Sequence, residues 1–173
     1  MRQMRIVGID PGLQRTGYAV LRASAERPSD TPSLAEAGVF RFKSSLPVHD
    51  RLVELEQDLT ALLARSQAQV VCVEKLYAHY AHPTTAIIMG HARGVILLVA
   101  ARMGLRLIEL PATEVKRAVT GNGHASKQQV QSTVQALLAL PAPPSPTDVS
   151  DAIAIALTGI QRATPIPVSS GHA

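Results

Sequence analysis

The chain has 173 residues, of which 46% are hydrophobic and 17% charged; this balance suits one domain with one core and excludes a disordered chain. The 17 lysines and arginines exceed the 13 acidic residues, and this mild excess permits a polyanionic partner without requiring one. The single cysteine, Cys72, excludes an internal disulfide and a cysteine-rich metal site.

Nothing in the hydropathy pattern suggests export or membrane insertion. The longest purely apolar run in the central segment, residues 95–101, is far shorter than the roughly 20 residues that span a bilayer. The first residues also lack the apolar stretch of a secretion signal. We therefore expect a cytoplasmic protein without a membrane partner.

The first half of the chain predicts three strands and a helix. Residues 5–10 form a near-continuous apolar run that ends in a carboxylate, which is typical of a strand buried on both faces. A Pro-Gly turn leads into a returning strand at 17–21, a polar loop follows at 23–33, and alternation resumes in a strand at 37–42. Leucines at helical spacing then predict an amphipathic helix at 50–65.

The second half alternates strands and helices. The expected elements are a strand at 70–74, a helix at 84–103, a strand at 105–110, helices from 111 and at 126–140, and, after a proline-rich stretch at 141–146, a last helix at 147–162. This order predicts an α/β fold with a mixed five-stranded sheet flanked by helices. Residues 1–163 are expected to form one domain and 164–173 a flexible tail.

Four carboxylates lie where the backbone of predicted elements ends or begins. Asp10 and Glu74 each end a buried strand, while Asp148 and Asp151 open the last helix three residues apart, both in its first turn by this prediction. Taken singly, such acids are commonly turn residues or helix caps. Taken together, they predict one site for Mg²⁺ or Mn²⁺, because hard oxygen ligands without a Cys or His cluster disfavour zinc.

A pair of such ions hydrolyses a phosphodiester without a protein nucleophile. This chemistry agrees with the sequence, which contains no serine elbow and no phosphate-binding P-loop.

Basic and aromatic residues that lie between the predicted acids in the sequence are candidates for nucleic-acid contacts. Lys116 and Lys127 flank a glycine-containing break between helices, where they could bind phosphates or face solvent. For Arg117 we prefer the interpretation that it faces solvent. Tyr77 and Tyr80 closely follow Glu74, and an exposed ring there could stack on a base, although burial of Tyr80 is the simpler interpretation.

Six short segments resemble, in order and spacing, the RuvC family of Holliday-junction resolvases. They are IVGIDPGLQRTGY at 6–18, VEKLY at 73–77, GHARG at 90–94, EVK at 114–116, ASK at 125–127 and DVSDA at 148–152. The chain departs from the family in three ways: Tyr77 stands where Phe is more usual, the loop at 23–33 is longer, and three residues precede Met4.

The resemblance implies an RNase H-like fold, a homodimer and paired, symmetric nicks in four-way junction DNA during recombination and repair. It also implies dependence on Mg²⁺, with two ions per site and Mn²⁺ as a substitute, and association with the branch-migration helicase complex. Carried over by motif, the family's residues fall as follows: the catalytic and metal-binding carboxylates on Asp10, Glu74, Asp148 and Asp151, and the DNA-binding residues on Tyr77, Lys116 and Lys127.

Two alternatives stay open at this point. The Asp10-Pro-Gly turn followed by Thr16-Gly17 also resembles the first phosphate loop of ATP-binding proteins of the actin and sugar-kinase type, although those proteins use two such lobes. A non-catalytic scaffold that binds junctions is the second alternative, and the four acids argue against it.

Overall fold

The computed structural model describes residues 3–24, 26–27, 30–76 and 83–163. Its five strands are β1 (Gln3–Asp10), β2 (Arg15–Ser24), β3 (Ser33–Arg41), β4 (Val70–Glu74) and β5 (Arg106–Leu110). Its five helices are α1 (Val48–Ser66), α2 (Pro83–Arg102), α3 (Ala112–Thr120), α4 (Lys127–Leu137) and α5 (Thr147–Ala163). The predicted tail at 164–173 and the aromatic segment at 77–82 lie outside the described residues.

The strands form one mixed sheet in the order β3-β2-β1-β4-β5. β2 runs antiparallel to both of its neighbours, β1 and β3, whereas β1, β4 and β5 run parallel. Ile9 lies opposite Val73 in the parallel pair, so the next residues, Asp10 and Glu74, leave the sheet side by side at its carboxyl edge. In open sheets of this kind, ligand sites form at that edge.

Helices cover both faces of the sheet because alternate residues of its central strands are buried on opposite sides. Ile6 and Cys72 belong to the core beneath α3, α4 and α5, whereas Val7 and Val71 belong to the core beneath α1 and α2. α5 lies directly on the sheet: a Cβ added to Gly8 would stand 2.2 Å from the carbonyl oxygen of Ala152 in that helix. The predicted fold class is confirmed.

The differences from prediction lie at element ends. The loop predicted at 23–33 is shorter, because β2 continues to Ser24 and β3 already begins at Ser33 through their extended antiparallel pairing. The helix predicted at 126–140 ends at Leu137, since Ala139 takes a left-handed conformation with φ of 48° two residues before Pro141.

α2 is apolar on nearly every side. Within the described ranges it is the one helix long and apolar enough to cross a membrane, a criterion that core helices of soluble proteins also meet. One face of α2 is buried in the core shared with α1, through Ala92, Ile96, Val99 and Ala100. Its opposite face is exposed at Ile87 and Leu98.

Candidate active site

Four acidic side chains from three distant stretches of the chain line one open cleft of about 630 Å³. Asp10 ends β1, Glu74 ends β4, and α5 contributes Asp148 and Asp151. The prediction that both aspartates lie in the first turn of the helix is wrong for Asp151: α5 begins at Thr147, so Asp151 lies just beyond that turn. Both still face the cleft, because residues three apart share a helix face.

Two features hold the start of α5 against the sheet. A Cβ added to Gly17 would stand 2.1 Å from the backbone oxygen of Asp148, so only glycine lets β2 approach the helix this closely. On the other side of the helix start, the buried hydroxyl of Ser150 donates a hydrogen bond to the carbonyl of Pro144 at 3.0 Å. The proline-rich segment and the sheet thus fix the position of Asp148.

Burial and mutual repulsion make the acids costly to ionise. Burial, followed by the charges of Asp151, Glu74 and Asp148, raises the pKa of Asp10 to about 8. Burial also raises the pKa of Glu74 and that of Asp151, against the opposing charge of Lys127. A concentration of poorly solvated carboxylates of this kind favours a bound cation.

Basic side chains offset part of the negative charge of these acids. Lys127 Nζ lies 3.6 Å from Asp151 Oδ2, and Arg15 Nε lies 3.9 Å from Asp148 Oδ2. Both cations are largely solvent-exposed, so each of these pairs adds only about 0–1 kcal/mol to stability.

The described residues that line the cleft fit a hard divalent ion, because they include four carboxylates and no cysteine or histidine. Across the described ranges, however, no three acidic, histidine or cysteine side chains converge into a ready-made metal-ligand group. The acids line the cleft from β1, β4 and α5, and a cation bound among them would offset their mutual repulsion.

Lys116 of α3 and Lys127, the first residue of α4, line the same cleft. α3 ends at Gly121, whose left-handed backbone (φ of 78°) lets its N–H bond the carbonyl of Arg117. α4 starts with a capping box in which Ser126 and Gln129 each accept a hydrogen bond from the backbone of the other. Lys127 is the first residue after that cap, so its backbone position is well defined.

Two tyrosines and one arginine complete the set of residues that the sequence singles out near the site. Tyr77, predicted to bind DNA, lies outside the described residues, as does Tyr80. Arg117 is exposed, in agreement with the interpretation that it faces solvent.

Sequence reasoning missed two arginines at the site. Arg15 lines the cleft, and Arg93 of α2 donates from Nε to the backbone carbonyl of Glu74 at 3.2 Å while its terminal nitrogen pairs with Glu109. Each lies inside one of the segments that resemble the family, Arg15 at 6–18 and Arg93 at 90–94, and a charge within the long apolar helix is the sequence signal that points to Arg93.

Comparison with known proteins agrees with this geometry. The family model described as crossover junction endodeoxyribonuclease RuvC matches residues 6–159. RuvC of Rhodopirellula baltica is 44% identical over 154 residues, covering 89% of this chain and 84% of the relative, and RuvC of a Synechococcus strain is 38% identical over 156 residues, covering 90% and 97%. A solved structure of Thermus thermophilus RuvC with a Holliday junction substrate has a TM-score of 0.84 at 30% identity, covering 92% of this chain and 94% of that one. The chain belongs to the RuvC family of crossover junction endodeoxyribonucleases.

Proposed function

We propose that this protein is an endonuclease that resolves Holliday junctions in DNA recombination and repair. The observation that carries the proposal is the cleft in which four acids from three stretches of chain meet two lysines. The acids suit metal-assisted hydrolysis and the lysines suit a phosphate backbone. The substrate class is supported by the related Thermus thermophilus RuvC, whose structure was solved with a Holliday junction.

The chain's own residues have separable tasks in this reaction. Magnesium, or manganese in its place, bound as two ions by Asp10, Glu74, Asp148 and Asp151 would polarise the scissile phosphate and acidify an attacking water. Asp10 and Glu74 end neighbouring paired strands, so the sheet fixes the spacing of their backbones. Lys116 and Lys127 attract the DNA backbone, and both lower the pKa of Glu74 and so favour its charged form.

We further propose that the working unit is a homodimer. A four-way junction is resolved by two symmetric nicks, whereas each chain carries one set of acids. The exposed face of α2 offers a self-complementary surface, with Ile87 and Leu98 at 59% and 49% exposure on either side of Gly90 and Gly94. A Cβ on either glycine would meet nothing within 4 Å, so a second helix can approach closely there.

Two of the sequence predictions have different grounds. The cytoplasmic location rests on the hydropathy pattern, and the association with the branch-migration helicase complex rests on the family resemblance. Both stay predictions, to be tested by fractionation and by pull-down with the purified helicase.

Membership of the family affects the two alternatives differently. Membership of a nuclease family removes the reason for invoking an ATP-binding protein of the actin and sugar-kinase type. A scaffold that binds junctions without cutting them remains the competing proposal, because members of one fold can lose their chemistry.

Incubation with a synthetic four-way junction in Mg²⁺ separates the two proposals. We expect paired nicks in the junction, little cutting of a linear duplex of the same sequence, and no cutting in EDTA. Repetition with Mn²⁺ tests the choice of ion. Tight junction binding without nicks in either metal would leave the scaffold as the better account.

A further inference from the structure

Arg15 and Arg41 lie directly opposite each other where β2 begins and β3 ends. Cross-strand partners project from the same face of a sheet. Two residues along each strand, Gly17 and Val39 form the next pair on that face, and Gly17 contacts the start of α5. The two arginines therefore share the sheet face on which the acids of α5 stand.

This arginine pair is poorly compensated within the protein. Like charges placed directly opposite each other in a sheet are destabilising. Among the described residues Arg15 makes one ion pair, with Asp148 at 3.9 Å, and half of its side chain is exposed. Arg41 is exposed and makes no ion pair or side-chain hydrogen bond with any residue in the described part of the chain. An anion between the two guanidinium groups would relieve their repulsion.

The sheet order places this pair on the far side of the acids from the lysines. Reading across the sheet, Arg41 stands on β3, Arg15 on β2, Asp10 on β1 and Glu74 on β4, and Lys116 follows on the helix after β5. Neighbouring strands are about 4.8 Å apart, so β3 lies roughly 14 Å from β4. Cations thus flank the carboxylates on both sides, and a polyanion laid across the sheet would meet both groups.

We propose that Arg15 and Arg41 form a second phosphate-binding site, which holds the backbone of the cleaved strand beyond the scissile phosphate. At about 3.4 Å of rise per nucleotide, the span from β1 or β4 to these side chains corresponds to roughly two to four nucleotides. Two guanidinium groups suit a phosphate because each can donate two parallel hydrogen bonds to its oxygens. Arg15 can exchange Asp148 for a phosphate, since their ion pair is long and exposed. The inference rests on the proposed function, because it takes junction DNA as the ligand.

The salt dependence of binding tests the site. Junction affinity is measured in EDTA, where cleavage is absent, over about 50 to 200 mM salt. We expect Arg15→Ala and Arg41→Ala each to reduce the slope of log affinity against log salt by about one, as Lys116→Ala also does, and the double variant by about two. Arg22→Ala is the matched control: it removes the same charge from the far end of β2, on the opposite face, and should leave the slope unchanged.

Replacing one charged phosphate at a time by a neutral group shows where on the DNA the two arginines bind. Replacing single phosphates of the cleaved strand by methylphosphonate, two to four nucleotides from the cut, should weaken binding of the wild type several-fold at one position. The same replacement should not weaken binding by the Arg15→Ala/Arg41→Ala variant. The Arg15→Lys/Arg41→Lys variant should regain part of the junction affinity that the alanine variant loses. If wild type binds and cuts the junction but both alanine variants keep its slope and its methylphosphonate response, the second site is wrong while the proposed function stands. If wild type neither binds nor cuts, both fail.

Discussion

Arg93 joins the candidate dimer helix to the end of the strand that carries a candidate catalytic acid. Its Nε donates to the backbone carbonyl of Glu74 at 3.2 Å, and its terminal nitrogen pairs with Glu109 on β5. Beside this contact, the N–H of Lys75 donates to the carbonyl of Leu110 at 2.8 Å. The backbone that follows β4 is thus tied to both α2 and β5. We infer that Arg93 is a positioning residue, which acts on the reaction through Glu74.

Replacing Arg93 by methionine should therefore change the response to metal more than the affinity for DNA. Without its hydrogen bond, the carbonyl of Glu74 is free to shift, so we expect the Mg²⁺ concentration for half-maximal cleavage to rise several-fold. Junction binding in EDTA should stay within about twofold of wild type. Arg102→Met is the control, since it removes the same charge from the exposed last turn of α2. Loss of thermal stability with an unchanged Mg²⁺ requirement would reduce Arg93 to a structural role.

Neutralising the acids should separate binding from cleavage. Asp10→Asn or Glu74→Gln keeps the shape of the side chain but removes a negative ligand, so we expect cleavage in Mg²⁺ to fall at least 100-fold, as for loss of a group worth a few kcal/mol in the transition state. Asp151→Asn should behave likewise, with Asp148→Asn milder. Junction affinity in EDTA should persist or rise, because a charge that repels phosphate is gone.

The control for these variants is Asp58→Asn, which removes an exposed carboxylate from the middle of α1. It should leave both cleavage and binding unchanged. Substantial nicking by Asp10→Asn or Glu74→Gln in Mg²⁺ would remove that carboxylate from the proposed site.

The raised pKa of Asp10 predicts how stability depends on pH in the absence of metal. The carboxyl titrates near 3.8 when exposed, whereas burial and the neighbouring acids raise its pKa to about 8 in the folded protein. Between those values the folded state holds a proton that the unfolded chain has released, so the free energy of unfolding falls as the pH rises from about 4 to about 8. The loss is on the order of a few kcal/mol, and the raised pKa values of Glu74 and Asp151 act in the same direction.

Asp10→Asn should abolish most of this pH dependence. In EDTA at pH 8 we expect its melting temperature to exceed that of wild type by several degrees, with the difference shrinking toward pH 5. Added Mg²⁺ should stabilise wild type more than the variant. Asp58→Asn again serves as control and should melt with wild type at every pH. An Asp10→Asn protein that is no more stable than wild type at pH 8 would show that the carboxyl is not held in an unfavourable environment.

The sequence was sufficient to predict the sheet and the grouping of the acids, because both depend on local pattern. Buried strands read as apolar runs, and a carboxylate directly after such a run has to emerge at the sheet edge, which is where Asp10 and Glu74 lie. Element ends were less predictable. The pairing of β2 with β3 extends both strands into a polar, proline-containing stretch that by itself reads as loop.

Other relationships depend on tertiary contacts that no local pattern encodes. The hydrogen bond from Arg93 reaches a backbone carbonyl, which gives no residue-type signal at position 74. The pairing of Arg15 with Arg41 requires the register of β2 and β3, which is fixed only when the sheet assembles. Gly17 is glycine because the backbone of Asp148, 131 residues later in the chain, passes beside it, whereas the sequence alone places it only at the start of a strand.

The exposed face of α2 predicts how the dimer can be broken without unfolding the chain. Gly90 and Gly94 have open space beside them, so Gly90→Leu/Gly94→Leu should fit the monomer but prevent a second helix from approaching. We expect light scattering to give about twice the 18.4 kDa chain mass for wild type and the single chain mass for the double variant. Its melting temperature at high dilution should match that of dissociated wild type.

Cleavage by this variant, and by a mixed dimer, then tests whether two chains supply the two nicks. The monomeric variant should lose paired cutting, because the second set of acids is no longer held at a fixed distance. A dimer with Asp10→Asn in one subunit should nick one strand of the junction and leave the other intact, since each active site serves one strand. The control is Val53→Glu on α1. This variant should stay dimeric and cut normally, because the side chain of Val53 is 53% exposed on a different helix. A monomer that makes both symmetric cuts would overturn the proposal that two chains are required.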